Sequence, residues 1–303
     1  MQSSKEPQLD LQLSLIYLDM KDLFTFSVYF GSFLSFPFLI FVIWMMKKKK
    51  MRFLMSFLLL LSLSFIWARF VEPQMLIVKE VKGPTNFALI SDLHLGQYKG
   101  STHFKRVVEK LNELNPNFVL IAGDFVYSID PKEIDDKFAP FADLNMPVYA
   151  VLGNHDMAPA GELLDSSLSE ILSEYRVTWI DNISVIQDDV QILGVGELWN
   201  DEADLSVFEE VEEDLTNLVV VHNPDAAYLF PEKSVDLVLA GHTHGGQIRI
   251  PYIYKWVVPT KYDWGKAQGS YEILGNSLFI TSGLGEIGLP LRLFNPPEII
   301  HFN

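Results

Sequence analysis

Phe87-Ala88-Leu89-Ile90-Ser91-Asp92-Leu93-His94 is an apolar run that stops at a carboxylate and an imidazole two positions apart. Consecutive apolar residues of this kind suit a strand buried on both faces, as in parallel sheets. Parallel strands deliver whatever follows them to one carboxyl edge, where ligands collect. The arrangement recurs four times. Residues 118–122 end in Gly123-Asp124, and residues 148–152 in Gly153-Asn154-His155-Asp156. Residues 218–221 end in His222-Asn223, and residues 235–240 in Gly241-His242-Thr243-His244-Gly245. Between the first two runs, residues 102–114 place Phe104, Val107, Val108, Leu111 and Leu114 on one helical face, which makes a strand–helix–strand unit with a right-handed crossover. Residues 163–175 read as a second amphipathic helix. Residues 177–180, 184–187 and 190–195 read as a meander turning at Asp188-Asp189. The expected fold is a mixed α/β sandwich with helices outside.

The residue types at the strand ends point to metal chemistry. Asp92 and His94 point the same way from an extended chain, so they can clasp one ion. Gly123 lets the backbone turn at Asp124, whose two oxygens can bridge two cations. Gly153-Asn154 supplies a neutral oxygen on a tight turn. His242 and His244 repeat the spacing of two among Gly241, Gly245 and Gly246. Taken singly, Asp-x-His is an ordinary loop, Gly-Asp a turn and Gly-Asn-His-Asp a helix cap. Together the clusters hold five of the seven histidines, leaving out only His103 and His301. A two-metal hydrolytic site is the expectation, and its nitrogen/oxygen set suits Mn²⁺, Fe or Zn²⁺ better than Ca²⁺.

Charge and hydropathy divide the chain. It has 23 Lys/Arg against 39 Asp/Glu and no cysteine, which excludes disulfides, thiolate metal sites and cysteine nucleophiles. Residues 1–72 carry a net charge of +3 and residues 73–303 a net charge of −19. So acidic a surface repels nucleic-acid phosphates, so no nucleic-acid partner is expected. Residues 73–303 suffice for one core, and form the expected catalytic domain. Residues 24–46 and 53–68 are apolar and flank Lys47-Lys48-Lys49-Lys50-Met51-Arg52, so residues 1–72 read as a membrane anchor. The lysines belong on the cytoplasmic side. If both stretches cross, the domain lies outside the cytoplasm; if only the first does, it lies inside. A start at Met45 or Met46 would instead make the second stretch a signal sequence, but Arg69-Phe70-Val71-Glu72 offers no small-x-small cleavage site, which favours a retained anchor.

These motifs resemble those of the calcineurin-like metallophosphoesterases: Asp-x-His, Gly-Asp-x-x-Asp, Gly-Asn-His-Asp/Glu, a lone His and Gly-His-x-His. The resemblance spans residues 84–300. It implies two mixed β-sheets packed as a sandwich and flanked by helices, with two divalent metal ions, Mn²⁺ foremost, at one sheet edge. It assigns one ion to Asp92, His94, Asp124 and His244, and the other to Asp124, Asn154, His222 and His242. His155, held by Asp156, would stabilise the transition state or protonate the leaving group. A metal-activated hydroxide would attack phosphorus in line with the leaving oxygen. One position departs from the pattern: Tyr127 stands where its last Asp is expected.

Ser282-Gly283-Leu284-Gly285, Leu289-Pro290-Leu291-Arg292 and Asn295-Pro296-Pro297-Glu298 resemble the membrane-associated bacterial branch that includes UDP-2,3-diacylglucosamine pyrophosphatase, an enzyme of lipid A biosynthesis. That branch implies a phosphodiester or pyrophosphate substrate linked to lipid at the bacterial cytoplasmic membrane, with Arg292 a candidate substrate contact. A phosphodiesterase for soluble or cell-wall phosphoesters is the alternative, and a non-catalytic metal-binding scaffold a second one. Tyr252, Tyr254, Trp256, Tyr262 and Trp264 read either as a lipid-touching loop or as the covered side of a hairpin.

Overall fold

The computed structural model describes residues 23–48, 51–157, 165–263 and 265–303. Lys49, Lys50, Trp264 and residues 163–164 of the expected second helix lie outside them.

Among the described residues, two six-stranded sheets face each other. The first has the order β1 (Ile77–Val81), β14 (Glu298–Phe302), β2 (Phe87–Ile90), β4 (Val119–Ala122), β6 (Val148–Val151) and β7 (Val177–Trp179). The second runs β12 (Gly269–Ile273), β13 (Asn276–Ile280), β11 (Leu237–Ala240), β10 (Thr216–Val221), β9 (Val190–Val195) and β8 (Ser184–Gln187). A short pair, β3 (Leu95–Gly96) and β5 (Val126–Tyr127), stands beside them. The expected mixed α/β sandwich is what forms, and β2, β4 and β6 run parallel, as do β9, β10, β11 and β13.

The period of two explains why the runs read as continuously apolar. In β2, Phe87 and Leu89 enter the layer between the sheets, against Ile192, Leu218, Val220 and Leu239. Ala88 and Ile90 face the other way, against Phe104, Val107 and Leu111 of α3 (Ser101–Leu114). Both faces of the strand are covered, so neither alternates with polar residues. Helix α3 ends at Asn115, whose φ of 50° closes it in a left-handed cap. Helices α4 (Ile134–Phe138) and α5 (Asp165–Glu174) cover the same side, through Phe138, Leu168 and Leu172.

The meander does not form. β7 lies in the first sheet, parallel to β6, while β8 and β9 make an antiparallel hairpin in the second. The reason is topological. β7 follows helix α5, so it closes a strand–helix–strand crossover onto β6 instead of a hairpin with β8.

Ahead of the sandwich stand two helices, α1 (Leu23–Met45) and α2 (Arg52–Gln74), each of 23 residues with mean hydropathy 2.0. At 1.5 Å per residue each is about 34 Å long, enough by length and composition to cross a bilayer. The second apolar stretch, residues 53–68, is by itself short for a span, but it belongs to a longer helix because the chain stays helical through Arg69 and Glu72. Both side chains are buried. The Arg69 guanidinium lies 4.8 Å from the Tyr29 ring centroid and 4.7 Å from that of Phe70, and its Nε donates to Ser32 Oγ.

Candidate metal centre

All the sequence-flagged strand ends arrive at one place. Asp92 and His94 follow β2, Asp124 follows β4, Asn154 and His155 follow β6, His222 follows β10, and His242 and His244 follow β11. Five of these hold a left-handed backbone: Asp92 (φ 49°), His94 (45°), Asp124 (57°), His242 (68°) and His244 (50°). Each such residue costs on the order of 1 kcal/mol or more, and such strain collects at functional sites. Here it turns the chain at once on leaving the strand and aims the side chains back at a common point. Glycines leave them room. A Cβ on Gly283, itself at φ +67°, would lie 2.7 Å from the Asp92 Cβ, and one on Gly285 would lie 2.6 Å from the His94 Cβ.

Two sets of acceptor atoms meet at the Asp124 carboxylate. In the first, His94 Nε2 lies 3.1 Å from His244 Nε2 and 3.4 Å from Asp124 Oδ2, and His244 Nε2 lies 3.3 Å from Asp92 Oδ1. These four side chains are buried, and their ligand atoms lie within 4.8 Å of one another. In the second, His222 Nε2 lies 3.3 Å from Asp124 Oδ2, 3.1 Å from Asn154 Oδ1 and 3.0 Å from His242 Nδ1. His222 Nδ1 donates to the Ala122 carbonyl at 2.7 Å, so Nε2 of the neutral ring presents a lone pair. Ligand atoms about 2.1 Å from an ion sit about 3.0 Å apart along an octahedral edge and about 3.4 Å apart along a tetrahedral one. The observed separations span that interval. Facing lone pairs at this spacing fit divalent cations.

Burial and the neighbouring carboxylates push these groups in different directions. Burial, and behind it the Asp124 charge, pushes the Asp92 carboxyl up to about 7. Burial pulls His94 down to about 3. It opposes a charged His222 as well, yet the Asp124 and Asp92 carboxylates outweigh it and raise that imidazole to about 10.

His155 lies at the mouth of the centre. Its backbone N–H donates to Asp124 Oδ1 at 2.9 Å, and its ring stands edge-on to His94, with centroids 5.3 Å apart. Asp156 is fully buried and accepts from the backbone N–H groups of Phe125 (2.8 Å), Val126 (3.2 Å) and Gly153 (2.8 Å). Its carboxylate therefore ties the Asp124 loop to the Asn154 loop.

Arg292 is a correction. Expected as a substrate contact, it is instead fully buried, donating to the carbonyls of Ser282 (3.0 Å), Gly283 (3.1 Å), Gly285 (2.5 Å) and Asn295 (3.2 Å), with Glu286 Oε1 3.4 Å from its Nε. A guanidinium so engaged has no face for a phosphate; it braces the loop that packs on Asp92 and His94. Arg292→Met is expected to destabilise the protein by about 3 kcal/mol or more, because four buried carbonyls lose their donor, while Glu286 keeps Lys99 at 3.2 Å. Denaturant unfolding measures this, and an unchanged midpoint would show that the brace contributes nothing.

A calcineurin-like phosphoesterase family model matches residues 85–246, the segment that carries every residue of both sets. The chain belongs to the calcineurin-like phosphoesterase family. It is 29% identical over 252 residues to the uncharacterized metallophosphoesterase YkuE of Bacillus subtilis, covering 78% of this chain and 88% of that one. It is 27% identical over 240 residues to phosphodiesterase YaeI of Escherichia coli, at 77% and 87% coverage. To the UDP-2,3-diacylglucosamine pyrophosphatase LpxG of Chlamydia muridarum it is 26% identical over 303 residues, at 78% and 92% coverage. The protein is thus a phosphoester hydrolase with a buried Asp/His cluster suited to divalent metal.

In this metallophosphoesterase the departing Tyr127 is buried, its ring 5.5 Å from His94 and 5.6 Å from His155, and its hydroxyl accepts from the Gly288 N–H. An aromatic wall and a rim contact stand where the family pattern has a carboxylate. Beside the centre opens a cavity of about 520 Å³ lined by Asp124, Asn154, His155, His242 and His244. Its apolar lining includes Trp199, Ile248, Ile253, Tyr254, Val257 and Leu289. Sequence reasoning missed Glu197 and Trp199. Buried Glu197 accepts from the N–H groups of Trp199 (2.5 Å) and Asn200 (3.1 Å), and the Trp199 ring stands edge-on to His242 at 4.4 Å. The signal was present, since β9 ends in Gly196-Glu197, a sixth apolar run closed by glycine and an acid.

Proposed function

We propose that this protein is a membrane-anchored dimetal phosphohydrolase that cleaves a phosphodiester or pyrophosphate bond in a lipid-linked substrate such as UDP-2,3-diacylglucosamine. The observation that carries the reading is the pair of acceptor sets sharing Asp124 and opening into a largely apolar cavity. Asp92, His94, Asp124 and His244 would hold one ion, and Asp124, Asn154, His222 and His242 the other. Bound there, two divalent ions supply an acidified water and neutralise charge on phosphoryl oxygens, and Mn²⁺ suits the mixed donors. His155, at the cavity mouth, would donate a hydrogen bond to the transferring group or a proton to the leaving oxygen. Asp156 keeps His155 and Asn154 in place through the loop it ties.

The apolar wall suits an acyl-bearing substrate, and the rim continues it outward. Tyr252 is 86% exposed, Trp256 78% and Val257 63%, so this stretch is not the covered side of a hairpin. Amphipathic aromatics in such a rim sit well at a lipid interface. Trp256→Ala is expected to lower turnover of a lipid substrate in vesicles roughly tenfold, through about 1.4 kcal/mol of lost interfacial burial. Turnover of bis-p-nitrophenyl phosphate should stay unchanged. Equal losses on both substrates would make the rim merely structural.

A second reading has its own support. The basic turn, with Lys47, Lys48 and Arg52, lies at the end of the helical pair away from the residues that contact the domain, Tyr29 and Ala68 among them. If both helices cross, the positive-inside rule puts the domain outside the cytoplasm, where soluble or cell-wall phosphoesters become the better substrates. UMP release from UDP-2,3-diacylglucosamine by the full-length protein with Mn²⁺ tests the first reading. Cleavage of bis-p-nitrophenyl phosphate alone would support the second.

A further inference from the structure

The end of α2 is hydrogen-bonded into the candidate metal centre. Glu72 is buried, and its Oε1 accepts from the backbone N–H of Asn295 while its Oε2 accepts from the Trp67 indole at 2.9 Å. Asn295 is itself buried, and its side-chain amide donates to the His244 carbonyl at 2.6 Å. That amide also lies against Gly245, where an added Cβ would come within 2.8 Å of its Oδ1. His244 needs such support, because its φ of 50° is a conformation a non-glycine residue leaves when free to do so. A parallel tie starts one turn earlier. The Ala68 carbonyl accepts from the Arg292 N–H at 2.8 Å, and the guanidinium of Arg292 holds the loop that packs on Asp92 and His94.

We propose that Glu72 is a positioning residue for the metal centre. Acting through Asn295, it fixes the backbone of His244, so that the apolar helical pair is a working part of the site and not a passive tether. The inference rests on the reading of His244 as a ligand. Outer hydrogen bonds of this kind hold a ligand in the orientation its ion requires, and losing one typically costs 10- to 100-fold in metal affinity. The effect belongs to one ion only, because His244 is in one set and His222, His242 and Asn154 are in the other.

The test is Mn²⁺ binding to the full-length protein in detergent micelles, followed by calorimetry and by the electron paramagnetic resonance of the coupled Mn²⁺ pair. Glu72→Ala and Asn295→Ala are expected to weaken one of the two binding events by about 10- to 100-fold and to abolish the coupled-pair signal, leaving the other event intact. The double variant should be no worse than Asn295→Ala alone, as for two residues in one chain of contacts. Glu72→Gln keeps an oxygen for the Asn295 N–H and should restore most of the affinity. Two tight binding events in Glu72→Ala would overturn the proposal. So would equal loss at both sites that tracks a lowered melting temperature of the metal-free variant, the mark of a purely structural residue. Should Glu72→Ala fail to fold, Asn295→Ala decides alone: wild-type binding there overturns the proposal, and selective loss of one event upholds it. His244→Ala runs beside them. If it binds two ions as the wild type does, the ligand assignment itself fails, and that result is distinct from any outcome at Glu72.

Discussion

Asp124→Asn is expected to lower metal-dependent hydrolysis by at least about 10³-fold, the upper end of what loss of a single preorganised electrostatic contact costs an enzyme. Asp124 is exceptional because its Oδ2 belongs to both acceptor sets, 3.4 Å from His94 Nε2 and 3.3 Å from His222 Nε2. The amide removes the one negative charge the two sets share and places a donor NH₂ or a weaker oxygen where two cations would meet. The fold should tolerate the change, since an asparagine oxygen can still accept the His155 N–H that Asp124 Oδ1 accepts at 2.9 Å. Hydrolysis of bis-p-nitrophenyl phosphate and the number of Mn²⁺ bound per chain are the measurements. Full activity with two bound ions would sink the assignment of Asp124 as the shared ligand.

His155→Ala should cost about 10²- to 10⁴-fold in turnover, the usual range for a positioned proton donor, while leaving Mn²⁺ binding unchanged. The separation of the two effects is the point. His155 lines the cavity beside the acceptor sets and belongs to neither. Its contribution should also depend on the leaving group. A nitrophenolate leaves without a proton, so the deficit should shrink on bis-p-nitrophenyl phosphate and be largest on an alkyl phosphodiester. A variant that loses its metals along with its activity would show that His155 supports the centre and does not take part in chemistry.

Much of this was legible along the chain because a parallel strand leaves a local mark. Phe87 to Ile90 is apolar on both faces, stops abruptly, and is followed by the side chains it delivers; no distant residue is needed to read that pattern. Arg292 shows the opposite case. Its neighbours in sequence suggested a phosphate contact, but its partners are backbone carbonyls 3 to 10 residues away, which no residue type announces. The strand at Val177–Trp179 likewise reads locally as part of a meander, and only its pairing with β6 places it in the other sheet.

By itself the sequence determined the sheet-based fold, the residues brought to its edge and the family to which they point, because strand burial and ligand type are properties of short segments. Only the tertiary structure decided that the space beside the acceptors is apolar, that Trp199 stands against His242, and that Glu72 and Arg292 reach the centre from within the protein. Each of those depends on distances between segments far apart in the chain, and such distances are set by how the two sheets and the helical pair pack, not by any one stretch of residues.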